Sequence, residues 1–304
     1  MRTTQISIIE CPANLGLKAP APGVQPGVWK LPDWLRLHGL HTKIEPHRIL
    51  KLPAPPYAMT LDSASGVRNA DALVGYARQL APVVSGELDQ GNFALVLGGD
   101  CSVLLGPLLS LKRAGNFALF YLDGHTDYMW PELSHTGGAG GMVAAFAAGK
   151  GPDKLANIDG LKPYIPAKHV WCVGNREYVD WYENAIIQSD ATYVPLHRLR
   201  SDGAEAVVST FLGTVEGLAL DGFWVHFDVD VLNDELMPAV DSRTPDGLDY
   251  AELASILRPL LSHPKIAGLT LTILDPDLDP EGHFIERFVD EVAPILGYAR
   301  SSTV

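Results

Sequence analysis

The sequence predicts a three-layer α/β fold with a mostly parallel sheet, and three observations carry that expectation. Short β-rich apolar runs alternate along the chain with longer helical patterns, which is the βα alternation of a sheet buried on both faces. The 304 residues are 47% hydrophobic and 19% charged, enough to bury a large core. No low-complexity linker and no internal repeat divides the chain, so a single domain over 1–304 is expected.

The strands are read in order. "QISIIEC" at 5–11 comes first, then "FALVLGG" at 93–99, "FALFYLD" at 117–123, "HVWCVG" at 169–174, "FWVHFDVD" at 223–230 and "IAGLTLTIL" at 266–274. Helices are expected at about 67–86, 102–113, 139–149, 203–212, 249–262 and 281–297, where the spacing is of the 3.6-residue type or good helix formers dominate. "KLPAPPYAM" at 51–59 reads as a loop, because proline removes donors and fixes φ.

Charge and cysteine usage exclude several classes of partner. A formal net charge of -13 and a pI near 5.1, with no cluster of Lys or Arg, argue against nucleic acid and anionic membrane. Cys11, Cys101 and Cys172 are too few and too scattered for a disulfide framework and suit a reducing compartment. No apolar run approaches the ~20 residues of a membrane span, and the start of the chain lacks a signal-peptide core. A cytoplasmic protein is expected.

Ligands of parallel α/β sheets sit beyond the carboxyl ends of the strands, and those ends carry the candidate chemistry. They are Asp100 and Cys101, then Asp123, His125 and Asp127, then Asp228 and Asp230. Spacing at i, i+2 and i+4 aims Asp123, His125 and Asp127 to one side of an extended chain. Carboxylates this close repel and call for cations between them. Carboxylate plus imidazole suits a pair of divalent ions such as Mn²⁺, about 3.5–4 Å apart and sharing a water. A lone Asp-x-His-x-Asp is more often a turn or cap device; the second Asp-x-Asp, closing another apolar strand, shifts the balance toward metal. Cys101, at a strand-to-helix turn, is a nucleophile, a ligand or a small buried filler.

These residues resemble the arginase/agmatinase/formimidoylglutamase ureohydrolases, whose three signatures occur here in order. Gly98-Gly99-Asp100-Cys101 matches Gly-Gly-Asp-His, Asp123-Gly124-His125-Thr126-Asp127 matches Asp-Ala-His-x-Asp, and His226-Phe227-Asp228-Val229-Asp230 matches Ser-x-Asp-x-Asp. "MPAVDSRTPDGLDYAEL" and "DPDLDP" resemble later family segments. The resemblance implies an arginase-like fold and two manganese ions per chain. Asp123, Asp127 and Asp228 would span or share them, with His125 and Asp230 on one ion and Cys101 replacing a histidine on the other. The thiolate admits zinc or another divalent ion as well. It further implies hydrolysis of a linear C–N bond in a guanidino or amidino compound. A metal-bridging hydroxide would attack the amidino carbon and Asp127 would accept its proton. A trimer or hexamer is also implied.

The sequence departs from the family pattern in three places. Gly140 stands where the family has its catalytic histidine; His135, a few residues earlier, is the replacement candidate, with a surface-loop histidine as its plain alternative. Ile273 stands where a glutamate clamps the guanidinium, and Asp275 is the nearest acid in sequence. Groups that hold an amino acid's α-carboxylate are not evident around Met129 and His135, and with no carboxylate in the place of Ile273 a bound guanidinium would lack its buried partner, so free L-arginine is expected to be a poor substrate. Tyr128, Met129 and Trp130 could form an apolar wall. His226 is an extra ligand, a partner of one, or a core histidine. Arg176 and Glu177 match a family loop lining the substrate mouth, or are a solvated charge pair. A formimidoyl or amide hydrolase, and a catalytically retired binding or structural member, are the alternative functions.

Overall fold

A computed structural model describes residues 4–300. Among these residues the strands are Ile6–Cys11 (β1), Arg48–Lys51 (β2), Phe93–Gly98 (β3), Phe117–Leu122 (β4), Val170–Val173 (β5), Thr192–Val194 (β6), Gly222–Asp228 (β7) and Ile266–Thr272 (β8). All pair in parallel, in the order β2-β1-β3-β8-β7-β4-β5-β6. Every residue of β1, β3, β4, β5 and β7 is buried, which is why these strands read as unbroken apolar runs.

Helices flank this sheet in two groups. The chain forms Leu31–Leu37 (α1), Leu40–Ile44 (α2), Ala70–Asp89 (α3), Leu105–Ala114 (α4), Val143–Ala147 (α5), Asp153–Ala156 (α6), Asp180–Ile187 (α7), Leu196–Asp202 (α8), Ala204–Gly217 (α9), Tyr250–Leu261 (α10) and His283–Leu296 (α11). α3 packs on α4 and α6, while α10 packs on α9 and α11, and α11 on α2. α3 buries Leu73, Ala77, Leu80, Ala81 and Val84, a stripe at helical spacing. α10 starts with a reciprocal cap: the Asp249 carboxylate accepts the Glu252 N–H at 2.7 Å and the Glu252 carboxylate accepts the Asp249 N–H at 2.9 Å. Such a cap contributes about 1 kcal/mol.

Two strands and five helices depart from the sequence expectation. β2 and β6 are short sheet edges, mostly exposed or half-buried, so neither has a continuous apolar signature. α1, α2, α6, α7 and α8 have at most eight residues, too few for a periodic signal to build up. The helix expected at 139–149 narrows to a 3₁₀ turn, Gly140–Met142, followed by α5. The segment after Lys51 is a loop, as its prolines require. Among the described residues, no helix is long and apolar enough to cross a membrane.

The topology decides where the chemistry falls. β3, β8, β7 and β4 are consecutive neighbours, so motifs more than a hundred residues apart in sequence emerge side by side at one end of the sheet. Gly99 is needed at this junction, since a Cβ there would run into the Ala13 carbonyl.

Candidate metal centre

After β3 the chain turns sharply, and Asp100 makes the turn. Its buried carboxylate accepts the Ser102 N–H at 2.8 Å and the Gly16 N–H at 3.0 Å, which presents Cys101 to the end of the sheet. The same device recurs in the two acidic motifs. One oxygen of Asp123 accepts the His125 N–H at 2.6 Å, and one oxygen of Asp228 accepts the Asp230 N–H at 2.8 Å. Each aspartate is thus a turn device through one oxygen and keeps the other for the site. Asp123 Oδ2 is buried without a hydrogen-bond partner, and Asp228 Oδ2 receives the Cys101 thiol at 2.9 Å.

Two sets of potential ligands result, each with its donor atoms within 4.8 Å of one another. Cys101, Asp123, His226 and Asp228 form one; Asp123, His125 and Asp230 form the other. Asp123 belongs to both. His125 Nδ1 lies 2.9 Å from Asp230 Oδ2 and 3.6 Å from Asp123 Oδ1. His226 stacks on Tyr121 at 4.3 Å between ring centres, has Thr272 Oγ1 3.4 Å from its Nε2, and leaves Nδ1 without a partner.

The electrostatics are those of acids crowded together out of water. Burial, with Asp230 beside it, pushes the Asp123 carboxyl up to about 6. Burial and neighbouring aspartates raise Asp127, Asp228 and the Cys101 thiol well above their ordinary values. Burial drives His226 down to about 3, leaving a neutral imidazole able to ligate. Burial also works against charge on Asp230 and His125, but their mutual attraction outweighs it, lowering Asp230 and raising His125. The donor set of carboxylate, imidazole and thiol, together with the partnerless Asp123 Oδ2 and His226 Nδ1, fits two divalent cations sharing Asp123.

A pocket of about 440 Å³ opens onto the centre. Cys101, Asp123, His125, Asp127, Met129, Glu177, Asp228 and Asp230, all expected at the site, line it. Asp127 lies outside both ligand sets. Its backbone has φ 45°, and its Oδ2 accepts the Tyr121 hydroxyl at 2.5 Å.

Of the expected site residues, His135, Arg176 and His226 do not line the pocket, and of the expected apolar wall Tyr128, Met129 and Trp130 only Met129 does. His135 is exposed, with its ring edge-on to Trp181 at 5.6 Å. Arg176 is buried behind the centre, where its guanidinium donates to the carbonyls of Asp230 at 2.7 Å and Thr244 at 2.9 Å. It braces the β7 motif rather than lining a mouth. Gly124 faces this guanidinium, and a Cβ there would collide with Arg176 Nη1 and approach the Asp230 carbonyl to 2.8 Å. Asp275, the acid nearest Ile273 in sequence, is held by the N–H groups of Gly27 and Asp277, each at 2.9 Å.

Sequence reasoning missed Tyr121, Tyr182, Asp241 and Thr244. Tyr182 and Asp241 line the pocket, and the Thr244 hydroxyl sits 3.5 Å from His125 Nε2. The Tyr182 hydroxyl accepts the Thr126 N–H at 2.8 Å. Tyr121 sits within an apolar strand and looks like packing until its hydroxyl is located.

A parallel α/β sheet with a buried acid–imidazole–thiol cluster beyond its strand ends defines a candidate metal-binding α/β protein. Comparison with known proteins specifies it further: the Arginase family model matches residues 20–293. The chain belongs to the arginase family. The arginase of Staphylococcus aureus (strain COL) is 25% identical over 298 residues, covering 97% of this chain and 98% of that protein. The arginase of Brevibacillus brevis is 29% identical over 229 residues, covering 75% and 76%. In fold, the native arginase of Bacillus caldovelox superposes with a TM-score of 0.86 at 24% identity, covering 99% of both chains. The formimidoylglutamase of Bacillus subtilis gives 0.71 at 18% identity, covering 99% of this chain and 88% of the other.

Proposed function

We propose that this protein hydrolyses a linear C–N bond in a guanidino or amidino compound, releasing urea or a related small amide and an amine. The observation that carries the reading is Asp123, shared by two ligand sets and buried with one carboxylate oxygen unpartnered. Cys101, Asp123, His226 and Asp228 would hold one divalent ion, and Asp123, His125 and Asp230 a second. Manganese is the proposed metal, with zinc admitted by the thiol. When bound, the ions supply Lewis acidity and lower the pKa of water.

The remaining roles belong to the chain. Asp127 Oδ2 is occupied by the Tyr121 hydroxyl. Its Oδ1 faces Gly141 and Met129 on the pocket wall, free to take the proton of the attacking water. Burial raises its proton affinity well above that of an ordinary carboxylate, which suits a group that accepts a proton. Tyr182, on α7, stays protonated because burial raises its phenol well above the ordinary value, so its hydroxyl on the pocket wall has a proton to donate. Gly140 and Gly141 leave the floor open for the substrate. Arg176 and Gly124 act indirectly, by setting the backbone that carries Asp230.

The test is a release screen for urea and ammonia with Mn²⁺-loaded protein on arginine, agmatine, guanidinobutyrate, N-hydroxyarginine and formimidoylglutamate. Product from at least one compound, abolished by chelation, is expected. No release from any of them with two ions bound would remove the reading.

A further inference from the structure

Beyond the two ligand sets, the pocket wall holds a carboxylate with nothing to bind. Among the described residues Asp241 has neither an ion pair nor a hydrogen bond, although it lines the pocket with Cys101, Asp123 and Asp230. Of the cations on the same wall, Arg243 is forked onto Asp234 at 2.6 and 2.8 Å, and Lys18 makes no ion pair.

Its position is set by the backbone. Val240 and Leu274 form an antiparallel bridge, supported by the Asp275 N–H donating to the Ala239 carbonyl at 2.8 Å. Asp241 follows Val240 and Ile273 precedes Leu274, so this single bridge brings the two residues to the same part of the fold. Both line the pocket. Ile273 is itself unusual: a β-branched residue at φ 77°, where side chains are strained, with its N–H tied to the Gly99 carbonyl at 2.7 Å. That kink ends β8 and turns an apolar side chain toward the pocket, so the strand that closes the pocket brings no charge of its own. The charge comes from the segment paired beside it.

We propose that Asp241 is the specificity-determining residue of this pocket, pairing with a cationic guanidinium or amidinium on the substrate and disfavouring neutral ureido and amide groups. The inference rests on the hydrolase reading above and names the charge of the group it acts on. A planar cation with two N–H donors on one edge matches a carboxylate in the bidentate manner that a neutral urea reproduces only weakly. Asp241 is exposed on the pocket wall; partial loss of water there and the nearby Asp275, Asp230 and Asp100 push its carboxyl up to about 6, a crowding that an incoming cation relieves.

The test uses a pair of probes with the same uncharged tail, n-butylguanidinium and n-butylurea. Their binding to metal-loaded full-length protein at pH 8 is measured by ligand-observed NMR titration. Wild type is expected to bind the guanidinium about tenfold or more tightly than the urea. Asp241→Asn should bring the two within about twofold while its metal content, read by elemental analysis, stays at wild type; Asp241→Glu should restore part of the preference. The proposal is overturned if wild type shows no preference, if Asp241→Asn keeps it, if Glu177→Gln removes it instead, or if Asp241→Asn loses metal. An Asp241-dependent preference in a protein that hydrolyses no guanidino compound leaves this inference standing and removes the hydrolase reading. Hydrolysis with a preference unmoved by Asp241→Asn does the reverse.

Discussion

In metal-free protein, Asp123 makes stability fall as pH rises, and Asp123→Asn removes that fall. The folded Asp123 carboxyl is raised from 3.8 to about 6, so the native state keeps a proton that the unfolded chain has already released. Its contribution is fully present below pH ~4 and is lost as pH climbs through about 6. Roughly two pKa units correspond to about 3 kcal/mol. With an unfolding entropy near 2.1 cal/mol/K per residue, that is about 5 °C in Tm for a chain of this length. Asp127 and Asp228, raised for the same reason, add to the fall. His125 adds to it too, because a raised imidazole contributes below its unfolded value of ~6.5 and loses that contribution above it. Asp230, Glu10 and Glu87 are lowered and oppose the fall only below pH ~5, whereas His226, lowered to about 3, opposes it all the way up to its unfolded value of ~6.5, so the Asp123 part is read as the difference between wild type and Asp123→Asn. Differential scanning calorimetry with chelator at pH 5 and pH 7.5 reads the part lost between those two values, about one pKa unit, or about 1.4 kcal/mol and about 2 °C. Saturating Mn²⁺ at pH 7.5 should reverse it, since ligand at a hundred times its Kd contributes about 2.7 kcal/mol. Asp123→Asn should lose less stability than wild type between pH 5 and 7.5, be more stable than wild type when metal-free at pH 7.5, and not respond to Mn²⁺. A metal-free wild type whose Tm changes from pH 5 to 7.5 no differently from that of Asp123→Asn would refute the reasoning.

Further outcomes follow from single side chains. Cys101→Ala should lose about one of the two ions, while Cys101→His should keep both and favour Mn²⁺, as elemental analysis of protein refolded with metal will read; a wild-type count in the alanine variant would make the thiol a bystander. Gly124→Ala should cost about 1–3 kcal/mol in urea unfolding by forcing a methyl group onto Arg176, and the cost should shrink in an Arg176→Ala background. Asp127→Asn should leave the metal count near two and lower kcat by about 10²-fold or more, because Asp127 lies outside both ligand sets and handles the proton. Loss of metal in that variant would return Asp127 to the ligands.

What was legible in the sequence follows from what burial does to composition. The central strands are sealed on both faces and announce themselves as apolar runs, so β1, β3, β4, β5, β7 and β8 were each readable to within a few residues. Arg48–Lys51 and Thr192–Val194, with one neighbour each and open to water, carry no such mark. At the centre, Asp123, His125, Asp228, Asp230 and Cys101 were readable because polar residues ending apolar strands stand out. His226 stood open between core residue and ligand; its neutral ring, with Nδ1 unpartnered and placed in the Cys101 set, is what supports the proposed ligand role. Arg176 and His135 misled for one reason: a charged or imidazole side chain near a motif in sequence says nothing about which side of the backbone it leaves. Asp241 was invisible because its importance lies in the Val240–Leu274 bridge, a pairing of two loops that no local pattern encodes.

The central claim is that two ions sharing Asp123 turn this pocket into a guanidino or amidino hydrolase. The most direct measurement is the initial rate of urea or ammonia release on the best compound of the screen, followed as Mn²⁺ is titrated into metal-free protein. The account predicts a rate that rises with occupancy, saturates at two ions per chain, and is absent in Asp123→Asn. A rate that is unaffected by chelation, or no release at full occupancy, would contradict it.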